Sequence, residues 1–328
     1  PRLLRRQRQL CIRDRVKSCD VVVENFRVGT LRRFGLDYDS LRDLNPGLVY
    51  CSISAYGQNG ARADQPGYDA MMQASGGLMS ITGPPDAEGG SPQKAGVAIA
   101  DIMAGMYATT AILAALVARQ GSGEGQYIDV PLYDSQVAWL ANQNMNFLVG
   151  GMTPERLGTA HPNIVPYQTF ATADGHLALA VGNDRQFQAC MRCLGLGDIA
   201  GSAKFRDNAS RVLHRDELVG LMAAEFRKQN ASVWLQEFSA CGVPAGPINT
   251  IKDVFTEPYG KERELVRYVS RIDADDIPTV ANPVRFSATP VSYRHAPPQL
   301  GQHTEEILSL ELGYSDEQID ALRQSGAI

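Results

Sequence analysis

Asp20-Val-Val-Val-Glu-Asn-Phe-Arg-Val-Gly29 is the stretch that decides the fold class. Its β-branched run has the composition of a strand, the loop Glu24-Asn-Phe-Arg-Val-Gly29 leaves it, and Thr30–Phe34 follows as helix. Strand, loop, helix is the repeating step of an α/β sheet, in which ligands gather at the carboxyl ends of the strands. A second step lies downstream. Leu48-Val-Tyr-Cys-Ser-Ile-Ser54 is apolar and β-branched, ends in the turn-rich Gly57-Gln-Asn-Gly60, and precedes a helix over Asp69–Gly77.

Further along, Ile102–Arg119 is apolar around its whole circumference and dense in Ala and Gly, the pattern of a buried helix. Gly121-Ser-Gly-Glu-Gly125 closes it, Gln126–Val130 returns as strand, and Tyr133–Val149 resumes helix. After Gly150-Gly151 the texture changes. Tyr167–Ala171 and Leu177–Val181, joined through Asp174-Gly175, predict a hairpin. Leu218, Leu221, Met222 and Phe226 recur at helical spacing, and Ser232–Cys241 is a helix stopped by Gly242 and Pro244. Residues 266–298 read as a returning connection. Two terminal helices follow, Thr304–Leu312 closed by Gly313 and Ser315–Gln324 closed by Gly326, the second with a Ser315/Gln318 capping box.

At 328 residues, 44% hydrophobic and 20% charged, the chain has room for two domains with buried cores. No run of about 18 uninterrupted apolar residues occurs, so no membrane span is expected. Six cysteines, at positions 11, 19, 51, 190, 193 and 241, are too sparse for a disulfide framework and suit a reducing compartment. Charge is split along the chain: residues 1–20 hold seven Lys/Arg against two Asp, and the other 308 hold 24 Lys/Arg against 34 Asp/Glu. An acidic body argues against a general nucleic-acid binder, which needs a basic face. The basic start invites a transit-peptide reading, against which stand its single Ser, two Asp and lack of an apolar face of helical period.

No phosphate-binding G-x-x-x-x-G-K-[ST], no G-x-S-x-G elbow and no H-E-x-x-H is present, and the glycines of 121–125 follow a helix where the dinucleotide fingerprint follows a strand. Phosphoryl transfer and serine hydrolysis lose most of their ground. Cys190-Met-Arg-Cys193 lacks a second pair at zinc spacing and reads as two core thiols. Asp101 stands out as the sole charge between Lys94 and Arg119, where the apolar helix begins. A helix N-cap is the ordinary use of such an Asp. At the same position, the helix dipole and unbonded N–H groups favour an ionised carboxylate available as a nucleophile. The loop Glu24–Arg27, with Arg32 and Arg33, sets an aromatic plate beside guanidinium groups. That combination fits an adenine ring with phosphates, and equally a solvated basic face.

Several motifs together resemble the family III CoA-transferases, the CaiB/BaiF family. They are the opening stretch, Leu44-Asn-Pro-Gly-Leu-Val-Tyr-Cys-Ser-Ile-Ser-Ala-Tyr-Gly-Gln-Asn-Gly60, Gly67-Tyr-Asp69, Gly76-Gly-Leu-Met-Ser-Ile-Thr-Gly83, Ala100-Asp-Ile-Met-Ala-Gly-Met-Tyr-Ala108 and Leu300-Gly-Gln-His-Thr-Glu-Glu-Ile-Leu308. The likeness runs from about residue 19 to the C-terminus. Arg156-Leu-Gly-Thr-Ala-His-Pro-Asn-Ile-Val-Pro-Tyr-Gln-Thr-Phe170 looks most like the branch that exchanges CoA between succinate and glutarate, hydroxymethylglutarate or itaconate.

The resemblance implies an α/β fold with a Rossmann-like large domain formed by both chain ends, residues 1–154 and 283–328. It adds a smaller central α+β domain at 155–265, a connecting segment at 266–282, and an interlocked homodimer. Family members open with a strand, helix and strand that complete the nucleotide fold, and this chain is expected to begin after them. By the same match Asp101 is the catalytic aspartate, and Asn25, Phe26, Thr30, Arg33, Phe34, Ser54 and Tyr56 fall on CoA-contacting positions. The implied reaction moves CoA from an acyl-CoA, succinyl-CoA foremost, to a carboxylic or dicarboxylic acid through an aspartyl-CoA thioester. No metal and no permanently bound cofactor is implied; coenzyme A enters as substrate, with no nucleic-acid or membrane partner. The implied location is the cytoplasm, or the mitochondrial matrix in a eukaryote. Tyr68 stands where the racemase branch has a catalytic His, which weighs against α-proton exchange. A non-catalytic remnant that keeps the dimer fold is the other alternative. Arg156 is a candidate for holding an acceptor's far carboxylate, while His161, Tyr167 and His303 lie in the matched motifs without an assigned chemistry.

Overall fold

The Val-Val-Val run forms β1 (Val21–Glu24), which pairs in parallel with β2 (Val49–Ser54), Val21 opposite Val49. β2 pairs in parallel with β3 (Tyr127–Pro131), Tyr50 opposite Tyr127. The structure, a computed structural model, describes residues 11–271 and 274–328. The transit-peptide reading of the basic start therefore falls in large part outside the described residues. The chain divides into two compact units, one running through Arg156 and taking in Pro298–Ile328, the other Leu157–Pro297.

In the first unit the sheet order is β1-β2-β3, with β2 central. Nearly every residue of β2 is buried, as a parallel strand covered on both faces requires, and this is why its sequence shows no alternation. Three helices complete the core on this sheet: α1 (Asp69–Ser75), α2 (Ile99–Ser122) and α3 (Leu132–Ala138). α2 packs on β2, β3, α1 and α3 through a stripe of small residues, of which Ala100, Ala104 and Ala108 join Cys51, Met72, Val130 and Leu132 in one core cluster. Alanine at i, i+4 and i+8 lets the helix backbone approach the sheet closely.

Burial all round α2 is not what the structure shows. Ile102, Met106, Leu113 and Val117 are half or more exposed, because the described residues cover only the alanine stripe. By length and composition alone α2 is apolar enough to cross a membrane, so a search for uninterrupted apolar runs passes over it. Its last turn is tied to the strands: the Arg119 guanidinium donates to Gly47 O at 2.8 Å and pairs with Asp20 Oδ1 at 2.7 Å. The stretch 133–149 is also not one helix. α3 ends at Ala138, and Ala141, at φ 51°, turns the chain before a separate helix Asn142–Leu148. The terminal helix Asp316–Gln324 carries the full Ser315/Gln318 capping box, and its Ile319 and Leu322 pack with Leu308 and Ala327.

The second unit contains the expected hairpin, β4 (Tyr167–Ala171) with β5 (His176–Ala180), extended antiparallel by β6 (Ala245–Pro247). Helices α4 (Asp184–Cys193), α5 (Arg215–Phe226) and α6 (Ala231–Cys241) supply its core, where Phe226 meets Phe170, Trp234 and Phe238 at ring-centroid distances of 4.5–5.8 Å. Arg211 is 1% exposed. Its charge is tolerated because it donates to Val165 O and Phe205 O, pairs with Asp184 and lies over the Phe187 ring. Residues expected to connect the domains instead form a hairpin within this unit, β7 (Val266–Arg271) with β8 (Ala274–Val280), and the unit extends to Pro297.

Candidate active site

Each strand of the first sheet hands the chain into the same recess. Asn25 follows β1, Ala55 follows β2 and Leu132 follows β3, and all three line a recess of about 470 Å³ at the carboxyl end of the sheet. Asp101 and Gly105, from the first turns of α2, and residues 63–68 complete its lining. That segment can come close because of Gly67. A Cβ there would stand 2.6 Å from Ala55 Cβ and 2.7 Å from Met72 Cε.

Asp101 is not the helix cap. α2 begins at Ile99 with Ala98 at the cap position, which leaves Asp101 within the first turn. The capping carboxylate comes from another helix: Asp69 Oδ1 accepts Ala100 N–H at 2.8 Å. Asp101 is thereby released from structural duty, and its carboxylate makes no hydrogen bond among the described residues. As a residue it is exposed, yet its carboxyl sits against the recess, and burial there, with the Asp69 charge second, raises it above the usual carboxylate range. Asp101 is therefore more basic than an ordinary aspartate. Gly105, one turn on, costs a mid-helix position about 1 kcal/mol relative to Ala. What it leaves beside Asp101 is open space, since a Cβ there would meet nothing within 4 Å.

Of the seven positions implied to contact CoA, Asn25, Phe26 and Ser54 line this recess. Asn25 is locked by donating to Ile53 O at 2.7 Å, Phe26 is 57% exposed, and Ser54 Oγ accepts Gly57 N–H at 3.0 Å. The other four lie elsewhere. Thr30 precedes the short helix Leu31–Phe34, whose Phe34 packs beside Leu36 and Tyr50; Arg33 is exposed; and Tyr56 packs on Tyr133 under the Arg62 guanidinium. Asp64 and Gln65 of the recess carry no signal in the sequence, whereas Arg27, from the loop singled out for its aromatic plate and guanidinium groups, does line it, and its Nη2 donates to Asp64 O at 3.2 Å. A loop that arrives 40 residues after Asn25 leaves no spacing signal; Gly105 alone, an unforced glycine in a helix, could have been found.

Three other candidates are engaged in structure. Arg156 is largely buried, donates to Pro84 O at 3.2 Å and pairs with Asp86, so its guanidinium holds the 83–93 loop. His161 packs on Tyr167 with ring centroids 5.4 Å apart and the planes tilted by 52°, and its Nδ1 accepts Asn163 N–H. Cys190 is buried and Cys193 half-buried; burial first, and the neighbouring Cys241 next, push the Cys193 thiol up to about 12, where it yields no thiolate at neutral pH.

Residues 5–304 match CoA-transferase family III. The match begins ahead of residue 19, where the motif likeness starts. The chain is 48% identical over 298 residues to a succinate–glutarate CoA-transferase of Agrobacterium fabrum, spanning 91% of this chain and 74% of that one. It is 40% identical over 317 residues to a succinyl-CoA:glutarate CoA-transferase of Homo sapiens, spanning 97% and 72%. A crystal structure of a CaiB/BaiF family protein from Brucella suis superposes with a TM-score of 0.78 at 42% identity, covering 92% of this chain and 78% of that one. The mixed α/β fold is common to both.

Proposed function

Because this chain belongs to CoA-transferase family III and is an enzyme of that class, we propose that it moves CoA from succinyl-CoA to a dicarboxylic acid, with Asp101 as the nucleophile. The observation that carries this is an ionisable carboxylate, relieved of capping by Asp69, lining a recess where three parallel strands end.

The chemistry asks only for that carboxylate. Asp101 attacks the thioester carbonyl and expels CoA thiolate, leaving a mixed anhydride. The thiolate attacks the aspartyl carbonyl of the anhydride, releases the donor acid and leaves an aspartyl-CoA thioester. The acceptor carboxylate then attacks that thioester, again expelling thiolate. Return of the thiolate to the acceptor's acyl carbon makes the new acyl-CoA and frees Asp101. Raised basicity strengthens Asp101 as a nucleophile. Asn25, Phe26 and Ser54 are the positions through which CoA is held, with Arg27 beside them for its phosphates.

Support for glutarate as an acceptor comes from the two relatives' names. A panel of succinyl-CoA with glutarate, itaconate, malate and hydroxymethylglutarate tests it. Glutaryl-CoA formation at a kcat/KM at least about tenfold above the other acids is expected. No transfer to any acid of the panel would overturn the substrate class.

A homodimer belongs to the same reading. Its support is the apolar surface of the first unit: Ile102, Met106, Leu113 and Val117 of α2, and Phe147, Leu148 and Val149, the last 79% exposed. An apolar stripe left exposed along a helix is a common mark of a surface that a partner covers. Light scattering is expected to give twice the chain mass; a monomer at micromolar concentration contradicts it.

A further inference from the structure

We infer that Asp69 and Gln73 of α1 are positioning residues for Asp101, acting through the backbone of residues 95–100; the inference rests on Asp101 being the nucleophile. Gln73 is fully buried, and its side chain is spent on this one segment and on Asp69. Its Nε2 donates to Asp69 Oδ2 at 2.7 Å and to Val97 O at 3.4 Å, and its Oε1 accepts Ala95 N–H at 2.8 Å. Asp69 Oδ1 takes Ala100 N–H at 2.8 Å. α1 thus holds the approach to α2 at Ala95, Val97 and Ala100, and Asp101 is the next residue. Neither Asp69 nor Gln73 is among the residues that line the recess.

The nucleophile is affected in two ways. The backbone grip fixes where α2 starts, and therefore where the Asp101 carboxylate stands; a displacement of about 1 Å at a reacting group can cost about a hundredfold in rate. Asp69 also places a second negative charge near Asp101. The charged and titratable groups that line the recess with Asp101 are Arg27 from the loop after β1 and Asp64 and Tyr68 from the segment 63–68, and Asp69 of α1 acts on it as well. Of these, Asp69 is the one whose charge raises Asp101, after burial. A like charge disfavours ionisation and leaves the carboxylate more basic.

Asp69→Asn keeps an oxygen for Ala100 N–H and removes the charge. Its kcat is expected to fall about tenfold while KM for acyl-CoA stays within about twofold. The acid limb of its kcat profile is expected to move to lower pH, because one of the two causes that raise Asp101 is gone. Gln73→Met keeps the volume and removes the bonds to Ala95, Val97 and Asp69; a loss in kcat with KM held is expected again. An unmoved acid limb in Asp69→Asn overturns the inference, as does a wild-type kcat in both variants or a loss confined to KM. Should Asp69→Asn fail to fold, the kcat-against-KM split of Gln73→Met decides alone. Transfer by Asp101→Asn at the wild-type rate would instead sink the nucleophile reading, which separates the two failures.

Discussion

Asp101→Asn is expected to abolish CoA transfer, by at least about 10⁴-fold in kcat, and to leave the fold standing. The size of the loss follows from the proposed chemistry: with no carboxylate to form the anhydride and the thioester, both halves of the exchange would lose their covalent route, and removal of a covalent nucleophile typically costs a factor of that order or more. Stability moves the other way. In the folded protein Asp101 is raised by burial and by Asp69, so its ionised form is disfavoured relative to the unfolded chain. Stability associated with its proton is present below the unfolded pKa and lost as pH rises through the folded one. Neutral Asn relieves that at pH 7. A melting temperature equal to or slightly above wild type is therefore expected, by circular dichroism, alongside dead transfer. In the wild-type enzyme kcat should fall as pH drops through the raised Asp101 pKa. A variant that melts several degrees lower would show that Asp101 carries structural weight.

Gly125→Ala is expected to destabilise the first unit by about 3 kcal/mol, lowering the melting temperature by roughly 10 °C. Gly125 sits between α2 and β3, with its N–H on Pro46 O at 2.9 Å. A Cβ there would stand 2.0 Å from Leu48 O and 2.3 Å from Leu48 C, both backbone atoms at the entrance to β2. Side-chain rotation cannot relieve such a contact; the β2–β3 pairing that carries Ser54 and Leu132 to the recess must shift. Gly121→Ala is the control. It lies near the end of α2, a Cβ there would meet nothing within 4 Å, and Gly to Ala in a helix is expected to stabilise by about 0.5–1 kcal/mol. Equal melting temperatures for the two variants would contradict the close approach at Gly125.

What the residues announced and what they concealed divides along local and non-local lines. β2 was legible because a parallel strand covered on both faces reads as an unbroken apolar run, β1 because three successive valines favour a strand even at the sheet edge, and the β4–β5 hairpin because Asp174-Gly175 marks its turn. Asp101 was conspicuous as a lone charge at the head of an apolar helix. Its cap was not legible, since Asp69 reaches Ala100 from 31 residues upstream and leaves no capping-box spacing. The break at Ala141 is hidden because neither Gly nor Pro stands there to mark a positive φ. In β8, Pro278 and the pair Asp275-Asp276 argue against a strand, and the hairpin forms nonetheless at an unshared edge. All-round apolarity in α2 signals burial, but whether this chain or another supplies the cover is a tertiary fact that composition does not contain.

The covalent intermediate that the proposed mechanism requires gives the most direct measurement. Enzyme mixed with succinyl-CoA, without acceptor, is quenched in acid, digested and weighed by mass spectrometry. One CoA should be found in thioester linkage on the peptide containing Asp101, absent in Asp101→Asn and discharged when glutarate is added before the quench. Transfer that proceeds with no adduct on that peptide, or with CoA attached at another residue, would contradict Asp101 as the carrier.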